Sequence, residues 1–396
     1  MPASTPAAAP PSPISGAAGP VPDRPGKIHR QHSPGLNIIR LDAASVRELH
    51  ITLNPLPGEP VEPLLVRLAA ALQHADATVV RALAFGSVAA AAPTLARLRE
   101  ALGDEELPVT WIEGAACDAR PLAGLQLHAV AGTEVQRLGQ GPGQARLWSD
   151  DAARHCVFSQ LSPRNLAASR PEQARETFEL LQASLAQAGL AMNHLVRTWF
   201  FLDDILAWYD DFNRVRNDFF ARSELRAGSV PASTGVSGRN PAGAAVALAA
   251  WAVQPLDSSA QGVVEMTQSP KQCPAPAYGS AFSRAVEIAA AAARRVLVSG
   301  TASIEPGGRT AHVGDTRAQM DLTMDVIEAI LESRGMSFDD VSRATAYYRH
   351  AQDAPLFADW LERHELRHLP LVHACCDICR DDLLFELELD ALQVGC

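Results

Sequence analysis

The sequence predicts an α/β chain of the α+β kind, three copies of one αβ unit closed into an internal pseudo-trimer. Three observations carry this. Residues PEQARETFELLQASLAQAGLAMNHLVRTWFFLDD align without a gap onto TRAQMDLTMDVIEAILESRGMSFDDVSRATAYYRH. In that alignment Ala174, Phe178, Leu181 and Leu185 fall on Met320, Met324, Ile327 and Leu331, so each set lies on one helical face. A weaker third copy near the start keeps the element order and the anchor Arg81, which matches Arg197 and Arg343.

Each element follows from local chemistry. Ser169 with Glu172, and Thr316 with Gln319, have capping-box spacing and predict two helix starts. Gly189 and Gly335 suit the left-handed position beyond each helix end. A strand follows each glycine, LVRTWFFL or VSRATAYYR, then a second helix, then a proline-led stretch ending in an apolar strand, AAVALAAWAV or DLLFELELDAL. In the first copy the corresponding elements are LLVRLAAALQHA, VVRALAFG, APTLARLREAL and the stretch ending LAGLQLHAV. Tandem copies imply a closed ring, because each apolar sheet face needs partners to cover it.

The expected boundaries are a Pro/Ala-rich disordered tail at 1–36, a degenerate repeat at 37–142, a second repeat with linker at 143–276, and a third at 277–396. QGPGQ and DSSAQ…SPKQCPAPA read as the linkers. A net charge of −11 argues against a nucleic-acid groove and favours a small-molecule partner. No run of apolar residues is long enough for a membrane span, and the start lacks a signal-peptide core, so a cytoplasmic protein is expected. Seven unevenly spaced cysteines predict reduced thiols. Cys376 and Cys379 make one CxxC without a second ligand pair, so neither metal nor cofactor is expected. A ring closed within one chain predicts a monomer or a weak homo-oligomer.

The strand-helix grammar resembles the RidA superfamily of reactive intermediate deaminases, whose small subunits form trimers with ligand sites between neighbours. The fused arrangement resembles the chorismatase family. The runs YDDFNRVR (209–216), YGSAFSRA (278–285), VSGTASI (298–304), AYYRHA (346–351) and DICRDDLLFELE (377–388) carry this resemblance. It implies conversion of chorismate, a cyclohexadiene with two carboxylates and an enolpyruvyl ether, with release of pyruvate and without a cofactor.

Breaking an enol ether at neutral pH needs a proton delivered to carbon, hence a carboxylic acid of raised pKa kept from water. Glu386 is the candidate. Strand alternation puts Glu386, Glu388 and Asp390 on one face, which composition alone would assign to solvent. The equivalent of Glu386 is Ala247 in the second copy and Gly124 in the first, so the acid belongs to one copy. Cys379 and Gly300 match the hydroxybenzoate-forming chorismatases, and the resemblance implies that Cys379 assists proton transfer during aromatisation. Two substrate carboxylates call for guanidinium clamps, for which Arg216, Arg284 and Arg349 are candidates. Tyr209 and Arg216, seven residues apart, share a helix face. By resemblance Tyr209, Arg216 and Arg284 contact substrate, and Tyr278 sits near an aromatic family position.

Two other readings have support. A RidA-type enamine or imine deaminase would carry an arginine just after the proline leading into the last strands, where PASTGV and PLVHAC stand here. A noncatalytic metabolite-binding protein would keep the fold without the chemistry.

Overall fold

The computed structural model describes residues 26–114, 116–117, 120–139, 143–225, 230–257, 264–275 and 281–395. They form three six-stranded sheets with one shared topology. The first sheet holds β1 (Lys27–Ser33), β2 (Leu36–Asp42), β3 (Arg47–Leu53), β4 (Thr78–Gly86), β5 (Val109–Ile112) and β6 (Leu122–Ala131), in the order β1-β2-β3-β6-β4-β5. Two helices, α1 (Val61–Ala75) and α2 (Val88–Leu102), belong to it.

The second sheet comprises β7 (Gln136–Leu138), β8 (Ala145–Ser149), β9 (Ala153–Leu161), β10 (Leu195–Leu202), β11 (Ala232–Ser237) and β12 (Val246–Pro255), with α3 (Arg170–Gln187) and α4 (Tyr209–Arg222). The third comprises β13 (Val264–Thr267), β14 (Ala285–Ala289), β15 (Ala293–Ala302), β16 (Val341–Tyr348), β17 (Leu371–Cys375) and β18 (Phe385–Val394), with α5 (Thr316–Glu332) and α6 (Ala354–Arg363). In each, neighbours run antiparallel except for the last pair, β4 with β5, β10 with β11 and β16 with β17, which a helix connects and which are parallel.

Every sheet has a helix-backed core of its own, and its other face contributes to a fourth core built from all three repeats, including Phe85, Phe201 and Tyr347. Hydrogen bonds close all three junctions. Ser159 Oγ donates to Pro108 O at 3.2 Å between repeats one and two. Ser233 N donates to Ser299 Oγ at 2.8 Å between two and three. Asn54 Nδ2 donates to Leu371 O at 2.8 Å between one and three.

Several expectations shift. The first repeat begins at Lys27, inside the expected tail, because β1 is a mostly exposed edge strand without an apolar alternation to mark it. Residues 1–25 lie outside the described ones. The second sheet already starts at Gln136, before the expected linker at 140–144, and β13 falls within the second expected linker. Cys117 and Cys375 form a disulfide with Cα atoms 5.9 Å apart, in place of two reduced thiols. Packing of β17 against the first repeat brings these distant cysteines together. No helix among the described residues is long and apolar enough to cross a membrane.

The α3 start has its capping box, with Ser169 N donating to Glu172 Oε2 at 2.9 Å. At α5 the cap is Asp315, whose carboxylate accepts from Ala318 N at 3.1 Å, and Thr316 is the first helical residue. Gln319 has other work: its amide donates to Asp382 O at 2.9 Å and accepts from Leu384 N at 2.8 Å, holding the approach to β18. Gly189 and Gly335 take φ of 69° and 65° beyond α3 and α5.

Candidate active site

The register settles which residues are equivalent. Glu386 pairs with Tyr347, Ala247 with Phe201 and Gly124 with Phe85, each at the inward end of its closing strand. All three acids of β18 point inward: Glu386 and Asp390 are 4% exposed and Glu388 is fully buried. A surface placement is excluded by the third sheet's position in the ring.

Glu388 and Asp390 are neutralised at the centre. Arg343 Nη1 donates to Glu388 Oε1 at 2.9 Å and its Nε to Asp390 Oδ2 at 2.6 Å. Arg197 from repeat two bonds Glu388, and Thr234 Oγ1 donates to Glu388 Oε2 at 2.5 Å. Arg81 completes the set, and the guanidinium carbons of Arg81, Arg197 and Arg343 lie 4.4, 4.8 and 5.2 Å from the ring centre of Trp199. Burial opposes the charge on Glu388, but Arg343 and Arg197 outweigh it and hold the carboxyl down to about 2.

Glu386 has no such ion pair among the described residues, and the more distant Arg197 and Arg284 only partly offset its burial. Burial, reinforced by the anionic Glu388 two residues on, pushes its carboxyl up to about 8. It lines a cleft between repeats two and three, together with Tyr209, Arg216, Ser233, Gly235, Phe282, Arg284, Gly300, Ala302, Ile304, Cys379, Arg380 and Leu383.

Local structure explains each wall. Gly300 sits where the pairing of β15 with β18 shifts register. A Cβ there would overlap Glu386 Oε1 and stand 3.0 Å from Glu386 Cδ, so glycine makes room for the carboxyl. Tyr209 and Arg216 come from one face of α4, as their spacing predicts, and Arg216 Nη2 donates to Asn213 Oδ1 at 2.6 Å. Arg284 precedes β14 and donates from Nε and Nη2 to Cys273 O at 3.2 and 3.1 Å. The guanidiniums of Arg216 and Arg284 lie 5.9 and 5.5 Å from the ring centre of Phe282. Burial, with Glu386 adding to it, pushes the Cys379 thiol up to about 12, so it is a neutral S–H at physiological pH.

The fold therefore brings together Glu386, Cys379, Gly300, Tyr209, Arg216 and Arg284. Arg349 is not among them. Its Nε lies 3.7 Å from Asp377 Oδ1 and its backbone N donates to Leu384 O at 3.1 Å, which places it at the base of the 376–384 segment outside the cleft. Asp203 N makes the equivalent bond, to Ala245 O at 2.9 Å, so this position serves the backbone in both repeats. Tyr278 lies outside the described residues. Sequence reasoning missed Phe282 and Arg380, although both stand inside runs it quoted, and Ser233, which only the junction between sheets brings to the cleft. A second hollow shares Tyr209, Cys379 and Arg380 with the cleft and is otherwise lined by Leu206, Ala207, Trp208 and Arg214 together with Asp210, Asp211, Asp381 and Asp382.

Comparison with known proteins matches this geometry at the level of fold. The Endoribonuclease L-PSP family matches residues 160–254, the second repeat from the end of β9 through β12. The crystal structure of a chorismatase superposes with a TM-score of 0.60 at 20% identity, covering 79% of this chain and 93% of that one. The chain thus has a chorismatase-like fold of three αβ repeats. In sequence, a 3-hydroxybenzoate synthase from Streptomyces hygroscopicus is 28% identical over 238 residues, 53% of this chain. The match spans 65% of that relative's length.

Proposed function

We propose that the chain is a chorismatase that converts chorismate to pyruvate and 3-hydroxybenzoate, alone or with 4-hydroxybenzoate, by general acid catalysis without a cofactor. The observation that carries this reading is Glu386, a buried carboxylic acid still protonated at neutral pH, in one cleft with two arginines from two different repeats. Arg216 and Arg284 pair with the substrate's carboxylates, and Tyr209 orients its polar groups.

Glu386 gives its proton to the methylene carbon of the enolpyruvyl group. The ring hydroxyl oxygen attacks the carbon bearing the ether, whose C–O electrons become the pyruvate carbonyl. The hydroxyl proton returns to Glu386. The resulting arene oxide opens, and loss of a ring proton with protonation of the oxygen yields the phenol. Cys379, as a neutral thiol beside Glu386, relays this last proton. The similarity to a 3-hydroxybenzoate synthase supports the product.

The deaminase reading is weaker: neither PASTGV nor PLVHAC, where its carboxylate-binding arginine is expected, contains an arginine. A binding protein would show no turnover. The test is incubation of purified protein with chorismate, following pyruvate and separating the aromatic products. Pyruvate no faster than the uncatalysed rate overturns the proposal. Glu386→Gln keeps the shape and removes the acid, so kcat should fall ~10²–10⁴-fold with an unchanged far-UV spectrum. Cys379→Ala should move product towards the nonaromatic dihydroxy acid, and an unchanged ratio would remove the thiol from the mechanism.

A further inference from the structure

We propose that Glu48, His50 and His128 form a binding site for a divalent transition-metal ion of the zinc class, separate from the cleft. Alternation along β3 puts Glu48 and His50 on one inward face, and register places His50 directly opposite His128 of β6. The two imidazoles stack with centroids 4.6 Å apart and planes 15° apart. Both Nε2 atoms approach one carboxylate oxygen, Glu48 Oε2, at 3.1 Å from His128 and 3.8 Å from His50.

Donor atoms of a tetrahedral ion, bound at about 2.0–2.2 Å, stand about 3.3 Å from one another. The two separations to Glu48 Oε2 bracket that value, and the three donors all lie within 4.8 Å of one another. All three residues are at most 5% exposed, yet His50 Nε2 has no hydrogen-bond partner among the described residues. A buried ring nitrogen without a partner is costly, and a metal ion aimed at by two other donors removes that cost.

The surroundings fit a structural role. The other oxygen of Glu48 bonds Arg295 of the third repeat, a contact that orients the ligand from behind. Arg295 and Arg81 are the nearby cations; Asp150, 3.0 Å from His155, is a second anion beside Glu48. None of the three residues lines the cleft, whose walls come from repeats two and three. The ion thus lies away from the proposed chemistry, ties β3 to β6, and leaves a fourth position for water. Its nitrogen and oxygen donors favour zinc over calcium or magnesium, which prefer all-oxygen shells.

The full chain, purified from zinc-supplemented culture and desalted, should retain zinc near one equivalent by elemental mass spectrometry. His50→Gln and His128→Gln should lose the ion with an unchanged far-UV spectrum, whereas Cys376→Ala/Cys379→Ala should keep it. Should the histidine variants not fold, the cobalt-substituted wild-type chain decides: visible bands without thiolate charge transfer support the site. Only trace zinc in the wild type, retention in folded histidine variants, or a thiolate band in the cobalt protein overturns it.

Discussion

At the scale of single residues, two carboxylates two positions apart on one strand have opposite fates. Glu388 meets Arg343, Arg197 and Thr234 and stays ionised, while Glu386 meets burial and the charge of Glu388 and is held as the acid. If Glu386 must be protonated, activity is present below its pKa of about 8 and lost as pH rises through it. Replacing Glu388 with Gln removes one cause of that elevation. The falling limb of kcat/KM against pH should therefore move to lower pH in Glu388→Gln, and an unmoved limb would show that burial alone sets the acid. Cβ crowding at Gly300 makes the same point sterically: the carboxyl occupies space that any side chain there would take.

Among the elements, each helix start and turn contributes locally and can be tested locally. The carboxylate of Asp315 caps α5 by accepting from Ala318 N, so Asp315→Ala should cost ~1 kcal/mol in denaturant unfolding. The same change at Thr316 should cost less, since its hydroxyl bonds Asp353 Oδ2 at 3.1 Å and not the helix backbone. Gln173 and Gln319 occupy equivalent places, and both use their amides to pin the loop before the closing strand, at Ala245 N and Leu384 N. That pinning fixes where β18 begins and so where Glu386 points.

For the whole molecule, the centre of the ring is the point of greatest dependence. One arginine from each repeat surrounds Trp199, against two carboxylates supplied by the third repeat alone. Removing a partner from a buried charge pair is far more damaging than its net worth suggests. Arg343→Met should therefore destabilise the chain by ~3–5 kcal/mol, read as a lower denaturation midpoint. A cost within the range of a surface substitution would mean that Arg81 and Arg197 suffice to hold Glu388 and Asp390.

By itself the sequence determined the three-repeat grammar, the glycines beyond α3 and α5, the shared face of Tyr209 and Arg216, and the equivalence of Glu386 with Ala247 and Gly124. These rest on periodicity and self-similarity, which local chemistry imposes. Tertiary structure alone decided that Glu388 and Asp390 pair with arginines in the interior, that Phe282 meets both Arg216 and Arg284, that Arg349 stays outside the cleft, and that Cys117 meets Cys375. It also drew Glu48 and His50 up to His128, and it showed β1 and β13 where composition had suggested a tail and a linker. Burial, charge pairing and edge-strand partners depend on how three sheets meet, and residues far apart in the chain become neighbours only once the ring has closed.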